Sequence, residues 1–397
     1  MRPLAGLTVV ALEHAIAAPL ATRQLADLGA RVIKVERPGS GDFARAYDQR
    51  TRGLSSHFVW TNRGKQSLTL DLKHPRGAAL LRELIVGHAD VLVQNLAPGA
   101  AARLGLSFDA LTADAPRLIV CDISGYGDDP RRPGPYRDRK AYDLLIQAEA
   151  GVLSVTGTPE APAKAGLPVA DIAAGMFATQ QILAALLQRG LDGRGRRIEV
   201  SMLEATVEWM GFPLYYGIDG AEPPPRSGAA HATICPYGPF TAGDGHAVML
   251  AVQNEREWQA FCREVLRRPE LAADPRFSDG ARRNAARAEV QALIEEAFAP
   301  LTAAEVVTRL DAAGIANARL NTVAEVWRHP QLVARERWTT VGSPAGPLPA
   351  LLPPGQDVGD AEPSRDIPAL GDHTEAILAE LGLGADEIAA LRAAGVV

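Results

Sequence analysis

The chain has 397 residues, of which 47% are hydrophobic and 22% are charged. This is the composition of an ordinary globular protein with enough apolar material for a large core, and the length allows two or three domains. The formal net charge of −6, without any block of lysine or arginine, argues against binding to nucleic acid.

Neither membrane insertion nor secretion is predicted. No apolar stretch free of charge approaches the length of about 18 residues that a membrane span needs, and the segment MRPLAGLTVVALEHAIAAP lacks a signal-peptide layout. We therefore expect a cytoplasmic protein with no membrane partner. The three cysteines, Cys121, Cys235 and Cys262, share no CxxC spacing, so reduced thiols are expected rather than disulfides or a zinc site.

The first half of the chain alternates between strand-like and helix-like segments. LTVVALE predicts a strand, APLATRQLADLG a helix that ends at Gly29, and ARVIKVE a second strand. HPRGAALLRELIVGHA then predicts a helix, and DVLVQN and PRLIVCDISGYG predict two further strands. The predicted fold class is therefore α/β, with a large doubly wound, mainly parallel sheet. Such sheets bind ligands where strands end, in loops such as ERPGSGD and ISGYGDDPRRPGPY.

Two tracts rich in proline and glycine, residues 217–231 and 341–355, have the composition of linkers. They separate a predicted large α/β domain over residues 1–216 from a smaller α+β domain over residues 232–340, which begins with a β-hairpin. The remaining segment, 356–397, is predicted to form two helices that return to the large domain.

Common catalytic motifs are absent from the sequence. It has no GxGxxG and no GxxxxGK[ST], which disfavours a Rossmann dehydrogenase, and it has neither GxSxG nor HExxH. The eight histidines are scattered. His14, His57, His74 and His88 have no second ligand three or four residues on, so no metal site is predicted.

Five segments occur in a fixed order along the chain: LAGLTVVALEHAIAAPLATRQLADLGARVIKVERPGSGD, TNRGKQSLTLDLKHPRG, LVQNLAPGAAARLGL, ISGYG with the later RPGPYRDRKAYDLLIQAEAG, and LPVADIAAGMFATQQILAALLQR. Together they resemble the class III CoA-transferases, the family of formyl-CoA transferase, carnitine CoA-transferase and alpha-methylacyl-CoA racemase. The resemblance covers nearly the whole chain. It implies a CoA-transferase that uses an acyl-CoA and a carboxylic acid as substrates and has no tightly bound cofactor. It also implies an interlocked homodimer, with active sites between the large domain of one subunit and the small domain of its neighbour.

One carboxylate, Asp171, lies in GLPVADIAAGMFATQQ between an apolar stretch and a run rich in alanine and glycine. Aspartate is favoured at helix N-caps, so the residues alone leave a purely structural cap open. The resemblance implies instead that Asp171 is the nucleophile, which attacks an acyl-CoA thioester to give a mixed anhydride and then an aspartyl-CoA thioester. On that interpretation, Ala170, Ala173, Ala174 and Gly175 leave space for the thioester to reach the carboxylate.

The oxyanions that develop in such a reaction need hydrogen-bond donors, and backbone amides of glycine can approach closely. Gly125, Gly127 and Gly238, all in glycine-containing turns, are the predicted donors.

Tyr142, in KAYD, stands where the racemases have the histidine of GHD. A tyrosine with an ordinary pKa of about 10 is a poor proton shuttle at neutral pH but a good hydrogen-bond donor to an acyl carbonyl. We therefore predict that Tyr142 assists Asp171 in transfer rather than in racemisation. Ile16 stands where formyl-CoA transferase has a glutamine, so a formate or oxalate specialist is not expected.

Coenzyme A carries a 3′-phosphate and a pyrophosphate, so an acidic protein must present local cations to bind it. The resemblance implies that Arg37 contacts the adenine side and Lys140 a phosphate. The predicted CoA-binding residues are Arg37, Arg103, Lys140, Asn95 and Ile16.

The segment HATICPYGPFTAGDG resembles family members that act on small dicarboxylic acids. We therefore expect CoA transfer from succinyl-CoA to a dicarboxylic acid such as citramalate, itaconate, mesaconate or a glutarate. The distal carboxylate needs a cation or several donors. The candidate substrate-binding residues are Arg45, Arg52, His57, His231 and Gly238.

Three alternatives stay open from the sequence. CoA could move between the two carboxyl groups of one mesaconyl-CoA, from C1 to C4. The protein could instead racemise a 2-methylacyl-CoA, or it could bind CoA esters without catalysis.

Overall fold

The computed structural model describes residues 2–356 and 366–397, so part of the predicted segment 356–397 lies outside the described residues. Six parallel strands form the main sheet in the order β3-β2-β1-β4-β5-β6. The strands of the chain are β1 (Thr8–Leu12), β2 (Arg31–Glu36), β3 (Lys65–Thr69), β4 (Val91–Gln94), β5 (Ile119–Ser124), β6 (Arg197–Ser201), β7 (Tyr237–Thr241), β8 (Ala247–Ala251), β9 (Ala316–Arg319), β10 (Trp338–Val341) and β11 (Leu348–Leu351).

Eighteen α-helices lie within the described residues. They are α1 (Ala17–Asp27), α2 (Ser56–Asn62), α3 (Pro75–His88), α4 (Ala100–Arg103), α5 (Phe108–Thr112), α6 (Asp143–Glu149), α7 (Val152–Val155), α8 (Val169–Asp192), α9 (Met202–Trp209), α10 (Gly211–Tyr216), α11 (Glu255–Ala260), α12 (Gly280–Ala285), α13 (Arg287–Phe298), α14 (Ala303–Ala312), α15 (Val323–Val326), α16 (Pro330–Ala334), α17 (Thr374–Glu380) and α18 (Ala385–Ala393). Shorter 3-10 or π-helical turns are Phe43–Ala46, Ile218–Gly220, Phe261–Val265 and Pro269–Ala273.

Helices cover both faces of the main sheet. Val9 belongs to a core formed with α1 and α8, whereas its neighbour Val10 belongs to a second core formed with α3, α17 and α18. Successive side chains of a strand point to opposite faces, so an apolar run such as TVVAL supplies both cores at once. The predicted α/β fold with a doubly wound parallel sheet is confirmed.

By its internal contacts the chain divides into two compact units. The first comprises the described residues up to 151, residues 165–211, and those from 332 onward. The second comprises residues 152–164 and 212–331. The tract 341–355, predicted as a linker from its prolines and glycines, includes β11, which pairs with β10 in an antiparallel hairpin. The domain boundaries proposed from the sequence stay a prediction.

The second unit is an α+β arrangement. Its antiparallel sheet has the order β7-β8-β9, and β7 and β8 form the hairpin that the turn sequence predicts. Apolar side chains of this sheet pack against α11, α13 and α14, with Trp258, Ile294 and Leu310 in the core.

Helix α8 is the longest helix of the described chain, and its length and composition alone would allow it to cross a membrane. One face is nevertheless buried against α1 and the sheet, which is the pattern of a core helix in a globular unit. That face consists of Ala170, Ala173, Ala174, Gly175, Ala178, Thr179, Ile182, Ala185 and Arg189.

Candidate active site

The candidate site lies in the first unit, at the carboxyl ends of the parallel strands. His14 follows β1, Arg37 follows β2, and Asn95 follows β4. The strand order reverses between β1 and β4, and ligands of doubly wound sheets bind at this topological switch point. The predicted CoA-binding residues of the loops thus emerge from one edge of one sheet.

Asp171 is the third residue of α8, whose N-cap position is held by Pro168. The interpretation of Asp171 as an N-cap is therefore wrong. Its carboxylate accepts a hydrogen bond from the backbone N–H of Ala17, at the start of α1. Burial, followed by the negative charge of Asp143, raises the pKa of Asp171 to about 7. Both causes disfavour the ionised form, and the single backbone donor only partly offsets them.

The residue that satisfies the start of α8 is Asp143, the first residue of α6. Its Oδ1 accepts the backbone N–H of Ala170 at 2.9 Å. Its Oδ2 accepts Nε2 of the buried Gln147 at 2.7 Å. Because Ala170 directly precedes Asp171, two carboxylates meet at the first turn of α8.

The loop between β1 and α1 is held in an unusual conformation beside Asp171. Ala15 has a positive φ of 60°, which is costly for a residue other than glycine. Its N–H donates to Asp42 Oδ1 at 3.2 Å. The Asn95 side chain accepts the N–H of His14 and donates to its carbonyl, both at 2.9 Å. Asn95, predicted to bind CoA, thus fixes this loop, and the side chain of Ile16 is buried at the N-cap of α1.

Beneath the loop lies a buried ionic cluster of three carboxylates and three cations. Lys34 Nζ lies 2.8 Å from Asp42 Oδ2, and Lys65 Nζ lies 2.6 Å from Glu13 Oε1. Each carboxylate therefore has a cationic partner, which is the usual condition for burying charges. The cluster consists of Glu13, Glu36, Asp42, Lys34, Arg45 and Lys65.

A row of aromatic rings runs alongside the loop. His14 stacks on Phe43, Phe43 contacts Tyr47, and Tyr47 meets the edge of His57, with ring centroids 5.6, 5.7 and 5.4 Å apart. Partial loss of solvent raises the pKa of Tyr47, which is 45% exposed, to about 12, with contributions from Asp42, Asp171 and Tyr142. Tyr47 therefore shares its electrostatic environment with the proposed nucleophile and with Tyr142, which is 62% exposed.

The small residues of α8 do not provide space for a substrate. Ala170, Ala173 and Ala174 are fully buried in the core, and a Cβ on Gly175 would lie 2.7 Å from the carbonyl oxygen of Ala17. The interpretation of this run as room for a thioester is wrong. Its small side chains instead let α1 and α8 pack closely, which brings the Ala17 N–H to Asp171.

The glycines proposed as oxyanion donors also have packing roles. Gly125 lies so close to Ala141 that a Cβ would be 2.1 Å from the Ala141 Cβ, and the Gly127 N–H already donates to Ser124 Oγ at 3.0 Å. Gly125 thereby lets the segment that carries Tyr142 approach the end of β5. The oxyanion role of Gly127 stays a prediction, and in this structure its N–H is engaged by Ser124.

The three cations predicted for CoA differ from most arginines of the first unit. Arg37, Arg103 and Lys140 are exposed, and none makes an ion pair within the described part of the chain. By contrast, Arg137 is paired with Asp128, and Arg139 lies 3.5 Å over the ring of Tyr136. The three unpaired cations are thus available for an anionic ligand.

The candidates for the distal carboxylate are already engaged to different degrees. Arg45 donates to both oxygens of Glu36, at 2.8 and 2.7 Å, and belongs to the buried cluster. Arg52 donates to the carbonyl of Pro347 at 2.7 Å, and His57 Nδ1 lies 3.3 Å from Asp48 Oδ2. Arg45 therefore has a structural partner, whereas the exposed Arg52 and the half-buried His57 keep part of their polar surface open.

Two predicted substrate-binding residues lie in the second unit. His231 stacks on Tyr237, with ring centroids 5.2 Å apart, and its Nδ1 accepts the backbone N–H groups of Thr233 and Ile234. Gly238 lies in β7, where a Cβ would be 2.9 Å from the Cβ of Ala230. Both positions have clear local roles within that unit.

Sequence reasoning missed three groups that meet at Asp171: the Ala17 N–H, Tyr47 and the Asp143 carboxylate. The four-residue spacing of Asp143 and Gln147 on one helix face was a usable signal for their hydrogen bond. No local pattern marks Tyr47, because its relation to Asp171 arises only when β2 and α8 are placed in the fold.

Comparisons with known proteins cover almost the whole chain. The profile of "CoA-transferase family III" matches residues 4–374. "Succinyl-CoA:glutarate CoA-transferase" of Mus musculus is 33% identical over 96% of this chain and 87% of its own length. "Formyl-CoA:oxalate CoA-transferase" of Streptomyces avermitilis is 34% identical over 100% of both chains. The crystal structure of a CAIB/BAIF family protein from Brucella suis is 34% identical over 96% of this chain and 99% of that one, with a TM-score of 0.82.

Proposed function

Because the chain belongs to CoA-transferase family III and is a CoA-transferase, we propose that it moves CoA from succinyl-CoA to a small dicarboxylic acid through an aspartyl-CoA thioester on Asp171. The observation that carries this proposal is the state of Asp171. Its carboxylate is partly buried, its pKa is raised to about 7, and no cation is paired with it among the described residues. A carboxylate that is poorly solvated and unpaired is an activated nucleophile.

The reaction proceeds by four acyl-transfer steps that conserve atoms and charge. The Asp171 carboxylate attacks the thioester carbon of succinyl-CoA, the C–S bond breaks, and CoA leaves as a thiolate. The thiolate attacks the side-chain carbonyl carbon of Asp171 and expels succinate, which leaves an aspartyl-CoA thioester. The acceptor carboxylate then attacks that carbon and expels the thiolate, and the thiolate attacks the acceptor carbonyl and frees Asp171.

Several neighbours support these steps. The Ala17 N–H that binds the Asp171 carboxylate is placed to hydrogen-bond the oxyanion formed on the same side chain. Tyr142 is exposed, carries a hydroxyl donor and shares the electrostatic environment of Tyr47 and Asp171. The exposed cations Arg37, Arg103 and Lys140 supply positive charge for CoA, with Lys140 assigned to a phosphate and Arg37 to the adenine side.

A dicarboxylic acceptor is supported by the relatives, whose names specify glutarate and oxalate. Ile16 has a buried apolar side chain where formyl-CoA transferase has a glutamine, so it provides no side-chain donor for oxalate. We therefore favour a C4 or C5 acid over oxalate, with Arg52 and His57 as candidate groups for its distal carboxylate.

A homodimer is part of the proposal. On the face of α8 that points away from the core, Met176, Leu187 and Leu191 are 50, 76 and 85% exposed. Apolar side chains in such a row are typical of a covered surface, and a second copy of the chain fits the family. Sedimentation of a monomer at micromolar concentration would contradict this.

The test combines the reaction with trapping of the intermediate. Purified protein is incubated with succinyl-CoA and a panel containing citramalate, itaconate, mesaconate and glutarate, and new thioesters are identified by mass spectrometry. Hydroxylamine added after succinyl-CoA should convert Asp171 to a hydroxamate. A product from mesaconyl-CoA without any acceptor would indicate intramolecular transfer, and no product with an unmodified Asp171 would reject the proposal.

A further inference from the structure

Asp143 has no position in the reaction described above, yet both of its oxygens are committed within the site. Helix α6 begins at Asp143, but the side chain does not cap its own helix. Oδ1 instead reaches α8 and accepts the Ala170 N–H at 2.9 Å, one residue before Asp171. Pro168, at the N-cap position of α8, offers no side-chain acceptor, so Asp143 supplies the acceptor that the helix lacks.

The orientation of Asp143 is fixed by Gln147, one turn further along α6. The Gln147 side chain is fully buried, and its Oε1 accepts the N–H of Ala165 at 3.0 Å. Its Nε2 must therefore face the other way, where it donates to Asp143 Oδ2 at 2.7 Å. Two N–H donors thus hold the Asp143 carboxylate and stabilise its negative charge beside Asp171.

We propose that Asp143 is a positioning residue for CoA transfer, which fixes the first turn of α8 and places a negative charge behind Asp171. This inference rests on the proposed nucleophilic function of Asp171. When Asp171 forms an anhydride or a thioester, its own charge is lost and the repulsion between the two carboxylates ends. The neighbouring charge therefore favours formation of the covalent intermediates over the free carboxylate.

The other groups around Asp171 do not replace this effect. On the elements that meet the first turn of α8, the groups that interact with Asp171 are the Ala17 N–H of α1, Tyr47 after β2, and Asp143 of α6, with Tyr142 acting on Tyr47 in turn. None of them is a cation. Removal of the Asp143 charge should consequently lower the pKa of Asp171 and weaken it as a nucleophile.

The test compares the pH dependence of CoA transfer in the wild-type protein and in Asp143→Asn. Asparagine keeps an oxygen for the Ala170 N–H but removes the charge. We expect the acidic limb of the rate profile to move to lower pH by about one unit. We also expect the rate on the alkaline plateau to fall by up to about tenfold, because a less basic carboxylate is a weaker nucleophile.

Two further variants keep the test decisive. Glu149→Gln removes a charge from the same helix, at a residue that pairs only loosely with Arg139 at 3.9 Å, and should leave the profile unchanged. Asp143→Ser offers a second uncharged acceptor, in case the asparagine amide disturbs Gln147 and the variant does not fold. A folded, uncharged variant whose acidic limb coincides with that of the wild type would overturn the inference.

Failure of the inference and failure of the proposed function give different results. If hydroxylamine trapping never modifies Asp171 in the wild-type protein, the nucleophilic function is wrong and the inference falls with it. If Asp171 is trapped in the wild type and the limb does not move in Asp143→Asn, only the role of Asp143 is overturned.

Discussion

Two groups of acidic residues lie near the amino-terminal end of α1, and only one of them is paired with cations. Behind the loop, the buried Glu13, Glu36 and Asp42 are paired with the buried Lys34 and Lys65 and the partly buried Arg45. In front of it, Asp171 and Asp143 meet at the start of α8 without a cationic partner among the described residues. The two groups share one supporting helix but not one electrostatic environment.

The consequence is visible in the protonation of the carboxylates. Burial by itself raises the pKa of Glu13, but Lys65 and Lys34 outweigh it and hold that pKa below its usual range. Burial has the same sign at Asp171, and there Asp143 adds to it, so the pKa rises to about 7. In this site, loss of solvent raises the pKa of the carboxylate that has no cationic partner. The paired cluster instead holds the loop between β1 and α1 rigidly in place.

The sharpest test of this contrast is removal of the unpaired acid. Asp171→Ala should reduce CoA transfer by at least about a thousandfold, because no other group can form the covalent intermediate. Binding of CoA, measured by calorimetry, should persist, since the cations Arg37 and Lys140 are untouched. Asp192→Asn, at the opposite end of α8, is the matched control and should keep full activity. Substantial turnover by Asp171→Ala would show that Asp171 is not the nucleophile.

Substitutions in the paired cluster should mainly lower the stability of the fold. Lys34→Met leaves Asp42 and Glu13 buried with less compensation, and we expect a loss of about 3–5 kcal/mol in the free energy of unfolding. Arg392→Ala is the control, because it breaks a pair of similar length, 2.7 Å to Glu375, between exposed side chains. Its cost should stay under about 1 kcal/mol in urea denaturation. Equal losses in the two variants would contradict the distinction between the groups.

The unpaired acid should also destabilise the fold at alkaline pH. Its pKa is about 7 in the folded protein against an ordinary 3.8, so the folded state holds the proton more tightly. Stability is therefore lost as the pH rises from about 4 to about 7. At pH 8 the free energy of unfolding of Asp171→Asn, measured by urea denaturation, should exceed that of the wild type by about 2–4 kcal/mol. Near pH 4 the two free energies of unfolding should be equal. If the difference in free energy of unfolding between Asp171→Asn and the wild type is the same at pH 8 and pH 4, the pKa of Asp171 is not raised in the folded protein.

The smallest effect is expected at the exposed cations. Arg37→Ala and Lys140→Ala should each raise the KM for acyl-CoA by about tenfold with little change in kcat, because Lys140 loses a contact to a phosphate and Arg37 a contact on the adenine side of CoA. Arg131→Ala, on an exposed arginine paired with Asp129, is the control and should leave the KM unchanged. If the KM for acyl-CoA is unchanged in both Arg37→Ala and Lys140→Ala, CoA binds at a different place on the protein.

Much of this protein was determined by the sequence itself. The alternation of TVVAL-like runs with helical spacing is a local property, and it was sufficient for the doubly wound α/β sheet and for the hairpin of β7 and β8. The five ordered segments were sufficient for the family, and the position of Asp171 in the last of them was sufficient to select a candidate nucleophile.

Only the tertiary structure decided what the neighbours of that nucleophile do. Gly175 and the alanines of α8 were interpreted as space for substrate, but they are the contact surface of α1. Nothing in the sequence distinguishes Arg45 and Lys34 from Arg37. In the structure Arg45 and Lys34 form ion pairs, whereas the exposed Arg37 does not. Asp143 precedes Asp171 by 28 residues and meets it only after both helices are packed. Charge pairing depends on distances of a few ångströms between remote segments, and no local pattern encodes such distances.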